Sequence, residues 1–454
     1  MALFSRFQIL AGRVLVSGTP ERFALTAFSI RIVSAAIAFL SQIVLARLMG
    51  GFDYGVFTFV WVLVIIVGTL SGFGFPTTII RFLPQYRADG QFGHIRGLTL
   101  AAPLLAMGIA SLLALLGWFA IQHISAHIEA YMLVPLTIGL MILPMIALGD
   151  MMDGIARASG WPIIALSPTY IVRPLAILAF MMMAAALGYD HSARVALTAA
   201  LLATYITSIA QCLLVMKRLL AQVPREPRAL DFAKWLPVAL PILVIELFGF
   251  LLTNSDVVMV GFFLRPEDVA IYFAAAKVIA LVNFVIFAVK AAAGPRFANA
   301  IAAGNSTQLS QIAVESARWT FFPSLALGVV LLLAGPWLLA LFGTGFVAGH
   351  SLMLVLFIGI ACKAFVGPAE TLLMMAGEQK LCVGIYGGAV MFSIIVNVIF
   401  IPLFGTVGAA LSTMSAMIVE TVMLHVAVRC RFGLVLTAFS NVAEPNSAFE
   451  REKW

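Results

Sequence analysis

Apolar runs about 20 residues long follow one another from residue 23 to residue 428, each the length a helix needs to cross about 30 Å of hydrocarbon. Charged residues make up 10% of the chain and hydrophobic residues 63%, with a mean hydropathy of +1.08. No soluble core holds that much apolar surface, since soluble domains carry about a quarter charged residues. Barrel strands are excluded as well, because they are about 10 residues long and alternate in polarity. The chain therefore reads as an all-α polytopic membrane protein with about twelve spans, at 23–48, 55–75, 97–121, 131–150, 161–187, 195–216, 235–262, 270–290, 319–341, 351–374, 382–403 and 407–428.

Residues 1–20 have another pattern. Arg6 and Arg13 stand seven apart and share one helical face, while Leu3, Phe4, Phe7, Leu10 and Val14 supply apolar area. This suits an amphipathic helix lying in the membrane interface, not a cleavable export signal. With the N-terminus inside, 20 of the 27 basic residues fall on inner ends and loops, 3 fall outside (Arg47, Arg194, Arg265), and 4 lie within spans. That is a strong positive-inside bias, and it puts both termini in the cytoplasm. The net charge of +7 is then mostly a topology signal. Basic residues scattered over short loops give a nucleic-acid partner no support.

The longest inner loop, KRLLAQVPREPRALDFAK (217–234), separates six spans from six. It divides the chain into an N-terminal lobe (21–216), a linker (217–234), a C-terminal lobe (235–430) and a cytoplasmic tail (431–454). The halves repeat weakly. Asp53 recurs as Asp268 and Arg81 as Arg296, at one and the same offset. Gly160 recurs as Gly377 and Gly188 as Gly405, again at a shared offset and one only slightly longer. Six spans per half is an even number, so both halves enter the membrane in the same direction. The expectation is a pseudo-twofold axis along the membrane normal with a central cleft.

Two stretches carry a family resemblance. LARLMGGFDYGVFTFVWVLVIIVGTLSGFGFPTTIIRFLPQY (45–86) resembles the first helix hairpin of the polysaccharide transporter family, with its D/E-Y-G turn, glycine-rich second helix and basic I-R-F segment. MMAGEQKLCVGIYGGAVMFSIIVNVIFIPLFGTVGAALSTMSAMIVE (374–420) resembles the family's second signature, an A-G turn, an asparagine-bearing helix and I-P-x-x-G-x-x-G-A-A. The family lies within the multidrug/oligosaccharidyl-lipid/polysaccharide exporter superfamily. The resemblance implies a Wzx-type flippase of the bacterial cytoplasmic (inner) membrane. Such a protein moves undecaprenyl-pyrophosphate-linked oligosaccharide between leaflets by alternating access, for surface polysaccharide synthesis. Membrane lipids are its surroundings, a polysaccharide polymerase and export machinery are partners it admits, and it implies no cofactor.

That cargo sets a physical requirement. A pyrophosphate crossing hydrocarbon needs fixed cations in a wet cavity, because an uncompensated charge there is expensive. Arginine meets phosphate with a planar fork and lysine with a point charge. Arg31, Arg173, Lys277 and Lys363 are the basic residues inside spans and are the candidate substrate-binding residues. Arg173 and Lys363 fall near mid-depth, Lys277 in the outer half and Arg31 in the inner half. Each has a plainer explanation in snorkelling or packing. Glu246, Asp256, Glu370 and Glu420 are the intramembrane acids and the candidates for gating or ion coupling. Arg31 and Glu246 are separated by the same offset as Asp53 and Asp268, so they occupy equivalent depths on spans one and seven. In the superfamily those helices face each other across the cleft. Either the pair meets as an inner gate, or the two are unrelated charges, one facing the substrate path and one a proton site.

A drug or small-cation exporter of the same superfamily is the alternative, and it predicts an acid-lined cavity. An enzyme such as a polymerase or glycosyltransferase is disfavoured, since the loops are short and carry no D-x-D motif. His123 and His127 stand i, i+4 at an outer helix end without an assured third ligand, which suits a polar cap more than a metal site.

Overall fold

The computed structural model describes the backbone from Pro20 to Ser440, with side chains at Ile30 and from Val33 onward. The interfacial segment expected up to residue 19, the tail beyond 440 and the Arg31 side chain lie outside the described residues. Among the described residues every regular element is helical. Ten helices are long and apolar enough to cross a membrane. Two of them are double. Helix α1 (Pro20–Ser71) breaks at Gly50, whose φ of 76° is open to a residue without Cβ. The last helix, α14 (Gln379–Phe432), breaks at Gly405. Splitting both recovers the twelve expected crossings.

Between these lie α2 (Phe75–Ala88), α3 (Phe92–Ile124), α4 (Ala130–Ala158), α5 (Pro162–Ser167), α6 (Arg173–Ala186) and α7 (Ala193–Gln222). A π-helical turn, Pro168–Val172, joins α5 to α6. The second half continues with α8 (Phe232–Phe263), α9 (Pro266–Ile279), α10 (Asn283–Ala302), α11 (Ser306–Ala340), α12 (His350–Val366) and α13 (Ala369–Met375). A 3₁₀ turn, Ala280–Val282, links α9 to α10 without ending the crossing.

The chain forms two compact units. One comprises the described residues up to Met49 with Val60–Leu247; the other comprises Gly50–Phe59 with Phe248 to the end of the described chain. In the first unit α4 is the hub, packed against α2, α3 and α7. In the second it is α12, packed against α9, α11 and α14. These are the fourth crossing of each half. Within a bilayer small residues let helices approach closely. A Cβ at Gly154 of α4 would lie 2.6 Å from the Pro76 carbonyl oxygen of α2, and one at Gly359 of α12 would lie 3.0 Å from Met417 Sδ of α14.

The repeat is visible in the local turns. At Gly90, and again at Gly304 in the second half, φ is positive and the next amide reaches back to a carbonyl of the preceding helix: Gln91 N to Tyr86 O at 2.8 Å, Asn305 N to Ala300 O at 3.1 Å. Gly160 and Gly377 repeat the device, with Trp161 N to Ala156 O at 2.9 Å and Glu378 N to Leu373 O at 3.0 Å. This is the Schellman closure of a helix C-terminus.

The expected linker and tail are both more structured than their sequences suggest. Helix α7 runs to Gln222, so only 223–231 lies outside helix. That stretch lies on the start of α3. The Glu226 carboxylate accepts from Gly93 N at 2.8 Å, and Ala229 N donates to Gly93 O at 3.0 Å. Buried Trp235 then ties α8 to the first unit by donating Nε1–H to Tyr86 Oη at 2.9 Å, and the division falls inside α8, after Leu247. Beyond α14, Leu434, Leu436 and Ala438 are buried in the second unit while Val435 is exposed. This short strap is held by Ala438 N to Phe365 O at 3.0 Å and by Arg318, which donates to Ala438 O and Ser440 O.

Gly160 and Gly377 have open space where a Cβ would go. Gly160→Ala and Gly377→Ala should therefore each cost only the left-handed backbone penalty, about 1–2 kcal/mol. Gly108, helical and equally unobstructed, should accept alanine without loss. Thermal unfolding of the three purified variants in one detergent checks this, and unequal shifts for the 160 and 377 variants would contradict it.

Candidate functional site

Helices α8, α9, α10, α12, α13 and α14 of the second unit line a cavity of about 420 Å³. Its walls carry Asp256 from α8, Lys290 from α10, Lys363 from α12, Glu370 from α13, and Tyr386, Thr413 and Glu420 from α14. The glycine and proline between α12 and α13 explain part of this. Gly367 has a φ of 72° and Pro368 caps α13, so the chain stops, turns and restarts with Glu370 in the first turn of a new helix.

Two of the three carboxylates in this cavity are paired with lysines. Lys363 Nζ donates to Glu420 Oε1 at 2.7 Å, and the Glu420 side chain is 4% exposed. Lys290 is paired with Glu370. Asp256 is buried and takes hydrogen bonds instead of a cation: Tyr272 donates its hydroxyl at 2.7 Å, Thr413 Oγ1 lies at 3.2 Å, and Val257 N–H donates at 2.8 Å. Lys277 is exposed on α9, its ammonium 4.8 Å from the Phe273 ring centroid.

The first unit holds a second group of charges. Arg173 is buried at 6% exposure, at the point where the π turn passes into α6. The turn frees carbonyls of α5, and Gln211 Nε2 of α7 donates to Ile164 O at 3.0 Å and Ala165 O at 3.2 Å. Such single π turns commonly mark functional sites. The guanidinium makes a long 3.5 Å contact from Nη2 to Ser208 Oγ, and its Nε is buried without a partner. Gly149 makes room for it, since a Cβ there would lie 3.1 Å from both Arg173 Nη2 and Ser208 Oγ. Asp150, the next residue along, is close enough to feel the charges of Arg173, Arg157 and Glu246. Arg157 is paired with Asp153 one turn back. Glu246 accepts from Thr77 Oγ1 at 2.7 Å.

Of the residues singled out in the sequence, Asp256, Lys363, Glu370 and Glu420 share one cavity. Arg173 and Glu246 share the neighbourhood of Asp150, and Lys277 stands close enough to Asp256 to feel its charge. Lys290 is a correction. The crossing expected to end at 290 continues to Ala302, so Lys290 lies within it and not in an inner loop. Tyr272, Tyr386 and Asp150 also escape a reading of the sequence. Asp150 stands at the expected end of a span that in fact runs to Ala158.

Comparison with known proteins fits this architecture. A family described as "Polysaccharide biosynthesis protein" matches residues 24–301, and the family MatE matches 241–403. No curated protein matches the chain. Among solved structures, an inward-facing multidrug resistance MATE family transporter of the MOP superfamily superposes with a TM-score of 0.67 at 16% identity, covering 90% of this chain and 94% of that one. The lipid II flippase MurJ in its inward closed conformation gives 0.67 at 14% identity, covering 88% and 87%. A MOP superfamily transporter from Pyrococcus furiosus, described by the reverse polarity of its binding pocket, gives 0.61 at 16%, covering 92% and 96%. At these identities the likeness establishes the fold.

Removing one partner of a buried pair leaves an uncompensated charge. Lys363→Met should cost about 3–5 kcal/mol by stranding Glu420, and Lys363→Met with Glu420→Leu should recover most of that loss. Thermal unfolding of both single variants and the double variant gives the coupling; additive losses would show that the two residues do not depend on each other.

Proposed function

The chain belongs to the family of polysaccharide biosynthesis proteins, and on that premise we propose that it is a flippase for undecaprenyl-pyrophosphate-linked oligosaccharide in the bacterial inner membrane, working by alternating access. The family match over 24–301 carries the proposal. The buried Arg173 supports it. A guanidinium held inside a membrane unit, with Nε unpartnered, is costly unless an anion visits it. Arg31, Lys277 and Lys363 complete the proposed substrate-binding set, and Glu246, Asp256, Glu370 and Glu420 are the proposed gating or ion-coupling acids. Arg31, in the inner half of its span, is suited to first contact with the head group at the inner leaflet. Glu246 would hold Arg31 when no substrate is present, so that substrate competes for the guanidinium and biases the transporter's two states.

A drug or small-cation exporter is the second reading. Three carboxylates against two lysines in the second unit's cavity favour it.

Deleting the gene should abolish one surface polysaccharide while its lipid-linked precursor accumulates on the inner side. Unchanged polysaccharide, together with new sensitivity to lipophilic cations, would favour the exporter. In complemented cells at matched expression, Arg31→Ala and Arg173→Ala should lose export, and Arg31→Lys and Arg173→Lys should keep part of it, because lysine retains the charge but not the fork. Export at the wild-type level from both alanine variants would remove these arginines from the mechanism.

A further inference from the structure

The two lysine–carboxylate pairs of the second unit line the same cavity. We propose that this cavity is a proton-released anion site, in which uptake of protons by Glu370 and Glu420 frees Lys290 and Lys363 to hold the pyrophosphate head of a lipid. This rests on the flippase reading above and adds to it where the anion binds and what binding is coupled to.

With every group ionised, the lining carries Asp256, Glu370 and Glu420 against Lys290 and Lys363, a balance of −1. Such a cavity repels a dianion, and each ammonium already has a carboxylate on it. Protonating the two glutamates brings the balance to +1 and leaves both ammoniums bare. It also changes the chemistry of the carboxyls. A carboxylate only accepts hydrogen bonds, whereas the acid donates one. Two ammoniums and two carboxyl O–H groups then face one anion. Asp256 does not compete for the lysines, because its oxygens are already met by Tyr272, Thr413 and the Val257 amide.

The proton balance is simple. Two protons enter from water, one to each glutamate, and the lysines stay ammonium throughout. No bond other than O–H is made or broken. Tyr386 of α14 hydrogen bonds to Glu370 and also feels Glu420, Cys382 feels Glu370, and Lys277 of α9 feels Asp256. None of these supplies a second cation to either glutamate beyond Lys290 and Lys363. By linkage, anything that binds the freed lysines draws protons onto the glutamates, and lowering the pH strengthens binding.

The test uses the full-length protein in nanodiscs and two probes, farnesyl pyrophosphate and inorganic pyrophosphate. Titration calorimetry in two buffers of different ionisation enthalpy counts the protons taken up. The expected result is uptake approaching two protons per farnesyl pyrophosphate, with affinity rising by up to about 100-fold per pH unit as pH falls through the linked range. Glu370→Gln with Glu420→Gln should bind with only the proton exchange of the probe's own terminal phosphate, which titrates near neutral pH, so that the wild type exceeds it by close to two protons, and Lys290→Met with Lys363→Met should not bind. Zero uptake by the wild type overturns the proposal even if no variant folds. Binding that survives loss of both lysines overturns it too, since the tail alone would then be responsible. Binding of inorganic pyrophosphate with exclusion of the farnesyl form would overturn the assignment to a lipid head. Should deletion of the gene block polysaccharide while wild-type binding shows no uptake, this inference fails and the flippase reading stands. Should deletion leave polysaccharide intact, the flippase reading fails whatever the calorimetry gives.

Discussion

Hydrocarbon offers no partner to a backbone amide, so every peptide group that crosses it must be satisfied by its own helix. The architecture follows from that constraint. Helices can stop only where the chain closes its last carbonyls, and it does so with the turns at Gly90, Gly160, Gly304 and Gly377. Where a crossing must bend before it ends, it passes through a π or 3₁₀ turn, as at 168–172 and 280–282, and a side chain such as Gln211 takes up the freed carbonyls. Both of these irregular turns lie close to charge, Arg173 after the first, Lys277 before the second.

The same scarcity of partners governs the side chains. Burying an ammonium or a carboxylate alone is costly, and the second unit answers with pairs: Lys363 on Glu420, Lys290 on Glu370. The first unit leaves Arg173 with a long contact to Ser208 and the more distant charge of Asp150. Matched charges in one unit and an under-matched guanidinium in the other are different electrostatic designs on similar helical frames.

The length of the apolar runs made the number of crossings legible, and the spacing of Asp, Arg and Gly made the repeat legible. Helix ends were less so. Hydropathy marks where hydrocarbon suits a chain, whereas AVKAAAGPRFANAIA (288–302) stays helical through alanine after the apolar run has faded, and Lys290 is misplaced by hydropathy for that reason. The strap after α14 has its signal in the alternation of LVLTA (434–438), too short to stand out beside the long helix before it. Individual charges could be picked out because they interrupt apolar runs. Their partners could not, because Lys363 and Glu420, like Lys290 and Glu370, stand on helices far apart in the chain, and no local period connects them.

The recurrence of the same closing turns, at nearly one offset from the first half to the second, gives the chain two copies of one backbone device. What both copies kept is backbone geometry, which tolerates little change because a left-handed glycine has no good substitute. What they did not keep is the charge set within the crossings, where Arg173 and Lys363 have no basic counterpart at the repeat offset. A single copy would have to balance every charge it buried within its own helices. Two copies can diverge, one burying a guanidinium on a long contact to Ser208 while the other pairs its lysines with carboxylates. Repetition in this chain thus sets an under-paired guanidinium and a set of paired lysines in two different units.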